Sequence, residues 1–235
     1  SKYSHEFQTI AGNGEDSIWI CKKCNIAYND EIVEEIQNAK FRSQNDNSKF
    51  KIYYCPECNG KLEKQHAIEV GNIFKLGTKF SQALDLSVSN KNGKKSWVEM
   101  ASYGIGSTRV MGTIVEVSHD EKGIVWTKNV APYNVHIIEI RNSKFEIRNN
   151  DKIQNDKSKT DKVINTLEKA GLDILVDDRE DVSAGEKLVE ADLIGIPYQI
   201  ILGKNSTEHN VEVKTRKNGK IETIEINQLI DYLHP

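Results

Sequence analysis

The chain has 235 residues, enough for two ordinary domains with separate cores. It is 37% hydrophobic and 29% charged, and no apolar run approaches the roughly 20 residues that span a bilayer, so a helical membrane protein is excluded and a cytoplasmic one is expected. The net charge of −3, with acids outnumbering bases in the C-terminal half, excludes a global electrostatic footprint for nucleic acid; any such contact rests on locally placed residues.

The chain opens at Ser1 in sequence that reads as mid-domain, so a piece of a longer protein is expected. "HEFQTIAGNGEDSIWICKKC" reads as strand, Gly-rich turn, strand, and "NDEIVEEIQNAKF" as a short helix capped by Asn29 or Asp30. After the polar loop "RSQNDNSK" come "YYCPECNGKL" and three expected strands, "AIEVGNIFKLG", "LDLSVSN" and "SWVEMASY". The last two are joined through "KNGK", whose Asn92-Gly93 pair suits a tight turn because both residues tolerate positive φ. A helix follows Gly106, with Val110, Met111, Ile114, Val115 and Val117 at roughly helical spacing. Antiparallel strands followed by this helix make an α+β unit.

Near "GIVWTKNVAPYN" the pattern changes to alternating elements. "VHIIEI" reads as a buried strand, "RNNDKIQNDKSK" as a long polar loop, "TDKVINTLEKAGL" as a helix and "DILVDD" as a strand. Strand-helix-strand at this length implies a parallel pair with a right-handed crossover. "SAGEKLVEADLIG" opens with Ser183 three residues before Glu186, a capping box, and ends at Gly195 with Pro197 beyond. "YQIILG", then "NVEVKT" and "IETIEI" around a second "KNGK", and the helix "NQLIDYL" complete a compact α/β domain.

The 4 cysteines form two C-x-x-C pairs, Cys21 with Cys24 and Cys55 with Cys58. Two thiolates from each tight turn around one ion match tetrahedral Zn²⁺, with no position left open for catalysis. The alternatives are four reduced structural thiols or a redox pair.

"ASYGIGSTRVMG", residues 101–112, sets Arg109 in the first turn of a helix, where the amino-terminal partial charge already disfavours a cation. Three readings compete. A dinucleotide fingerprint lacks its third glycine. A structural reading has the glycines make room for packing and leaves Arg109 solvated. In a polyphosphate site, the glycines admit a nucleotide and the arginine shares an anionic ligand with the helix end.

"ASYGIGSTR" resembles motif 3 of class II aminoacyl-tRNA synthetases, a strand-to-helix segment whose arginine contacts ATP. "SHEF" at 4–7, "GED" at 14–16 and "EVGNIFKLGTKFS" at 69–81 resemble the aminoacylation domain of bacterial-type prolyl-tRNA synthetases. "GIVWTKNVAPYNVHII" resembles the passage into that family's anticodon-binding domain, and "DDREDVSAGEKLVEADLIGIP" at 177–197 resembles the signature of that domain.

The resemblance implies the end of a class II catalytic domain over residues 1–125, with the cysteine knuckle within 21–58, then an anticodon-binding domain over 131–235. It implies an ATP-dependent ligase, acting with Mg²⁺, that activates proline and transfers it to the 3′ end of proline tRNA, as a homodimer at full length. Arg109 would hold the triphosphate above a floor kept clear by Gly104 and Gly106. Asn72, Phe74, Gly77 and Thr78 would line the proline pocket, with His5 and Glu6 either closing it or standing as two polar residues on a strand edge. Arg179, Glu180 and Lys187 would read anticodon guanines, against the alternative of a solvated charged loop.

Departures are visible. Many relatives carry His in place of Asn72 and Cys in place of Ser102. Motifs 1 and 2 are absent, and with them half of the ATP site, so this piece alone is expected not to catalyse. The family's large insertion between motifs 2 and 3 is also missing, its place held by the stretch between the cysteine pairs, so no editing by that insertion is expected. The rivals are a synthetase-like paralogue that binds tRNA without chemistry, and a zinc-ribbon nucleic-acid adaptor. The latter calls for a basic surface that Lys22, Lys23 and Lys61 supply only meagrely.

Overall fold

The structure, a computed structural model, describes residues 4–40, 52–140 and 150–233, without the side chains of 37–40 and 150–157. The expected loop "RSQNDNSK" lies outside the described residues. The chain divides into two compact units, Ser1–Glu116 and Val117–Pro235.

The first unit begins with strands β1 (His5–Ile10), β2 (Asp16–Cys21) and β3 (Ile26–Asn29), then helix α1 (Asp30–Lys40). The Asn29 side-chain carbonyl accepts from the Glu31 amide at 3.1 Å, and Asp30 and Glu31 set negative charge at the positive helix end. The 16-residue strand β4 (Leu62–Gly77) follows, then α2 (Lys79–Ala83), the ribbon of β5 (Ser87–Ser89) and β6 (Lys95–Trp97), strand β7 (Met100–Ile105) and helix α3 (Ser107–Val117). β4 is the spine: β1 lies along one edge, while β2 and β7 share the other, and every pairing is antiparallel.

Two expectations differ here. "SWVEMASY" breaks between β6 and β7, where the chain passes from the β5–β6 ribbon, whose register Val98 still continues by donating to the Leu86 carbonyl, to the β4 ladder that Met100 joins. The turn joining β5 and β6 takes positive φ only at Gly93 among its two central residues, and the Asn90 side chain accepts from the amides of Asn92 and Lys94.

The second unit opens with a hairpin of β8 (His119–Asp120) and β9 (Gly123–Ile124). Then come β10 (Val135–Glu139), α4 (Asn150–Lys169), β11 (Ile174–Asp177), α5 (Ala184–Ile194), β12 (Tyr198–Leu202), β13 (Asn210–Thr215), β14 (Ile221–Glu225), a 3-10 turn (Ile226–Gln228) and α6 (Leu229–Leu233). β10 pairs in parallel with β11 on one side and β12 on the other; β13 and β14 continue antiparallel. α4 starts at Asn150, not at Thr160 as the polar stretch before it suggests. Once Val163 and Leu167 anchor this helix on the sheet, further turns are added at little cost, Lys and Gln being good helix formers.

The two parallel crossovers, β10 to β11 through α4 and β11 back past β10 to β12 through α5, run in opposite directions across the sheet, which puts their helices on opposite faces. On the α4 face, Val163, Leu167, Leu229 and Leu233 pack on Val135, Ile137, Ile200, Val211 and Val213 as the main core. On the α5 face the apolar cluster is thin, with Ile138, Ala191 and Ile201 at its centre. Polar contacts do the rest. Asp192 of α5 accepts from Lys214 at 2.6 Å and from Gln199 at 3.0 Å, and its carbonyl accepts from buried Arg216 at 2.9 Å. Arg216 also grips Asp120 of the β8–β9 hairpin through two bonds of 2.6 and 2.7 Å.

α5 begins as expected, with the Ser183 hydroxyl accepting from the Glu186 amide at 3.2 Å, and ends at Gly195 with φ of 81°. A Cβ at Gly195 would stand 2.0 Å from the Ile124 carbonyl oxygen of β9. Gly195→Ala therefore combines left-handed strain with a backbone collision and should destabilise the second unit by about 2 kcal/mol or more, measured by urea unfolding.

Candidate functional site

The four thiols meet in one place. Their sulfur atoms all lie within 4.8 Å of one another, with Cys21 3.3 Å from Cys58 and Cys24 3.5 Å from Cys55 and 3.7 Å from Cys58. These spacings exclude disulfides, which need about 2.05 Å. They approach the separation of about 3.8 Å between sulfurs set tetrahedrally at zinc–sulfur distances of about 2.3 Å. Cys21 and Cys55 are buried.

Each pair sits in the same local turn. Asn25 and Asn59, the residues directly after Cys24 and Cys58, both take φ of 55° and donate their amides to the carbonyls of Cys21 and Cys55 at 2.8 Å. The left-handed turn curls the chain so that further amides point at sulfur, and asparagine tolerates it better than most residues. The Cys24 amide accordingly lowers the Cys21 thiol, and the amides of Glu57 and Cys58 bring Cys55 down to about 6 against the opposing effect of burial. Burial pushes Cys24 up to about 12. Without a cation the four cannot all ionise together; a divalent metal removes that conflict. The donor set therefore fits a structural ion, and all four predicted ligands are brought together.

The second constellation lies along β4. Asn72 pairs with Glu6 of β1 and with Gly104 of β7, while Phe74 pairs with Ser102. Paired residues share a face, so Glu6, Asn72, Phe74 and Gly104 stand on one side of the sheet, and His5, opposite Ile73, stands on the other. His5 is thus separated from the residues it was expected to join.

Between Phe7 and Gln8 the register slips: Phe7 pairs with Gly71 and Gln8 with Glu69, leaving Val70 as an extra residue in β4. Such a bulge reverses side-chain alternation and turns Glu69 to the Asn72 face. The Asn72 amide donates to the Glu69 carboxylate at 3.1 Å. Arg109, in the first turn of α3 and half-exposed, donates to the Glu69 carbonyl at 3.2 Å and has the Glu69 carboxylate 3.8 Å away.

The glycines serve this packing. A Cβ on Gly104 would lie 2.5 Å from the Asn72 side-chain oxygen, and one on Gly106 would lie 3.3 Å from the Cβ of Arg109. Glu6 is engaged with Gln8 and Asn29, each donating at 3.1 Å. Gly77 turns the end of β4 with φ of 58°, and Thr78 opens α2, its hydroxyl accepting from Gln82 at 3.0 Å. The structure thus joins Arg109 to Asn72 through Glu69, with Gly104 packed against Asn72; Glu69 opens the stretch at 69–81 but is not among the expected site residues. The extra residue in β4 has no visible signature in the chain.

The third constellation forms where β10 and β11 send their connections to opposite faces of the sheet, the position at which parallel sheets commonly open a ligand crevice. The Arg179 guanidinium forks onto Asp177, Nε to one oxygen at 2.9 Å and Nη2 to the other at 2.8 Å, and Nη2 also donates to Glu190. Lys187 differs from its expected role. It is 2% exposed, donates to the carbonyls of Glu139 at 2.8 Å and Asp177 at 3.3 Å, and has the Asp177 carboxylate at 3.5 Å. Its charge is used inside the fold, so it presents no donor to a base; Arg179 and Glu180 stay exposed.

Residues 135–234 match the family described as the anticodon binding domain. The chain is 41% identical over 181 residues to a proline–tRNA ligase of Persephonella marina, covering 76% of this chain and 30% of that protein. It is 35% identical over 232 residues to the proline–tRNA ligase of Sulfurimonas denitrificans, covering 97% and 51% respectively. Among solved structures it superposes on the Giardia lamblia prolyl-tRNA synthetase in complex with prolyl-adenylate with a TM-score of 0.61 and 27% identity, covering 72% of this chain and 36% of that one. The chain therefore spans about a third to a half of the curated relatives it matches.

An antiparallel unit bearing the glycine-arginine helix entry, followed by a mixed-sheet anticodon-binding unit, defines part of a class II aminoacyl-tRNA synthetase. Within that class the chain belongs to the prolyl-tRNA synthetases and corresponds to their C-terminal part.

The Arg179 guanidinium holds the Asp177 carboxyl at about 2, below its unfolded range near 4. A depressed carboxyl stabilises the fold above its unfolded pKa and loses that contribution as pH falls through its folded one. The stability difference between the wild type and Asp177→Asn should therefore be full at neutral pH and narrow between about pH 4 and pH 2, measured by urea unfolding at stepped pH.

Proposed function

We propose that this chain carries the triphosphate-holding arginine, part of the proline pocket and the anticodon-reading unit of a proline–tRNA ligase. The enzyme activates proline with ATP and Mg²⁺ and transfers it to the 3′ end of proline tRNA, acting as a cytoplasmic homodimer. The observation that carries this reading is the Arg109–Glu69–Asn72–Gly104 linkage on β4, in a chain related over most of its length to proteins of that name.

The chemistry needs placement and charge more than a protein nucleophile. Arg109 sits where a helix amino end already favours anions, and its exposed guanidinium is held on one side by the Glu69 carbonyl. The remaining N–H groups can meet phosphate as the proline carboxylate attacks. ATP and Mg²⁺ supply the leaving pyrophosphate and its charge balance; this chain's part is to orient the nucleotide. Asn72, fixed by Glu69, and half-exposed Phe74 offer a polar edge and an apolar wall, as a proline ring requires. At the other unit, Arg179 presents a guanidinium to guanine O6 and N7, with Glu180 beside it to accept from an amino group. Lys187 is a positioning residue, holding the ends of β10 and β11 together beneath Arg179.

In the complete enzyme, Arg109→Ala should lower proline-dependent ATP–pyrophosphate exchange by roughly 10²–10³-fold while leaving tRNA binding intact. Unchanged exchange would reject the assignment and favour a tRNA-binding paralogue without chemistry.

We also assign the cysteine cluster to structural Zn²⁺, held by Cys21, Cys24, Cys55 and Cys58. Elemental analysis of purified protein should give about one zinc per chain, and Cys55→Ser should lose it together with much of the first unit's resistance to unfolding. A zinc content near zero in active protein would end that assignment.

A further inference from the structure

Arg179 is held by two carboxylates that are not equivalent. Asp177 is 7% exposed and takes both Nε and Nη2, while Glu190, one helical stretch away on α5, meets the outer side of Nη2 at 2.5 Å with its side chain 41% exposed. The Nη1 group has no partner among the described residues. The edge formed by Nη1 and Nη2, which a guanine would occupy, is therefore half covered by Glu190.

We infer that Glu190 is a specificity-determining residue that competes with RNA anions for the guanidinium of Arg179. The inference rests on the reading of Arg179 as a base-contacting donor. The buried, bidentate contact with Asp177 fixes the position of the guanidinium and persists in the complex. The contact with Glu190 is a solvated pair, and pairs of that kind are favoured only by roughly two- to fivefold. It yields to a ligand that offers more than charge.

A guanine edge presents two acceptors at the spacing of the Nη1–Nη2 edge and gains a fork of two bonds on displacing Glu190. A lone backbone phosphate gains mainly charge attraction, which salt screens, and it meets the repulsion of the displaced carboxylate close by. Discrimination is a difference of affinities, and a repulsive element against the wrong ligand raises it at small cost to the right one. Glu190 supplies that element, and Lys187 supplies none, its charge being enclosed.

The test uses the full chain and two RNA stem-loops, one with the guanines of a proline anticodon and one with adenines in their place, titrated at several salt concentrations. Glu190→Gln should tighten the adenine control by roughly three- to fivefold and the guanine stem-loop by less than about twofold, so that the ratio of affinities falls. The salt dependence for the control should steepen by close to one phosphate contact. Glu190→Ala should behave alike, and neither change should appear when Arg179→Ala is already present. Equal change for both RNAs, or weaker binding of the guanine stem-loop by Glu190→Gln, overturns the inference, the latter by showing that Glu190 touches RNA itself. Should Arg179→Ala leave guanine stem-loop binding unchanged, the reading of Arg179 fails as well. Loss on Arg179→Ala with a silent Glu190→Gln rejects the Glu190 role alone. Thermal unfolding of each variant separates these outcomes from misfolding.

Discussion

The first unit depends on β4 being one unbroken strand. Its early half, Leu62–Ala67, pairs with β2 and so closes the ladder that holds the first cysteine knuckle against the second. Its later half, Gly71–Gly77, pairs with β7 and so sets the glycine-bearing segment that leads into α3. A strand transmits register rigidly, because a slip of one residue would turn every side chain to the wrong face. The cysteine cluster and Arg109 therefore share a reference frame without touching. Two slips interrupt its ladders, one at Leu76 against β7 and one at Val70 against β1, and the slip at Val70 is what brings Glu69 beside Asn72. Here an irregularity in the ladder assembles the constellation that regular pairing would have split across two faces.

The same unit is poor in apolar burial. Its buried hydrophobic cluster is Cys21, Val33, Cys55 and Leu62, with Trp19 and Tyr53 packed edge to face beside it. Two of those four residues are metal-type ligands, so the cluster draws its cohesion from sulfur as much as from hydrocarbon. A small unit of this kind would gain from a metal cross-link what a larger core supplies by burial alone. The second unit is the opposite case on one face, with a full aliphatic core under α4 and α6, and a departure on the other, where ion pairs at both ends of α5 supplement a thin apolar seam. Polar anchoring of this sort fixes where a helix lies more sharply than apolar packing does, since a buried charge moved off its partner is costly.

Much of this was legible in the chain. The C-x-x-C pairs, the Ser183 cap, the Gly195 stop and the strand-helix alternation of the second unit each follow from local chemistry that tertiary structure did not need to override. Even the repeated asparagine after each cysteine pair was there to read, since both Asn25 and Asn59 adopt the left-handed turn such residues tolerate. What could not be read depends on contacts between distant segments. The break in "SWVEMASY" comes from a change of partner, from β5 to β4, and the role of Glu69 from an extra residue in a ladder whose partner strand lies far upstream in the chain. The start of α4 at Asn150 escaped because the polar sequence of its first turns carries no hydrophobic period.

Lys187 is the most instructive of these. From sequence, a lysine and an arginine flanking a capped helix look interchangeable as contacts for RNA. Helix periodicity separates them: Lys187 falls on the stripe that carries Leu188 and Ala191 into the sheet, while Arg179 precedes the helix on an exposed turn. Burying an ammonium is tolerable only where acceptors wait for it, and the carbonyls at the ends of two neighbouring parallel strands, Glu139 of β10 and Asp177 of β11, provide them. The point where the connections of β10 and β11 leave for opposite faces of the sheet is thus also where two strand-end carbonyls hold a buried cation. One charge is consumed in tying together the ends of β10 and β11, and the other stays at the surface, held by Asp177 and Glu190.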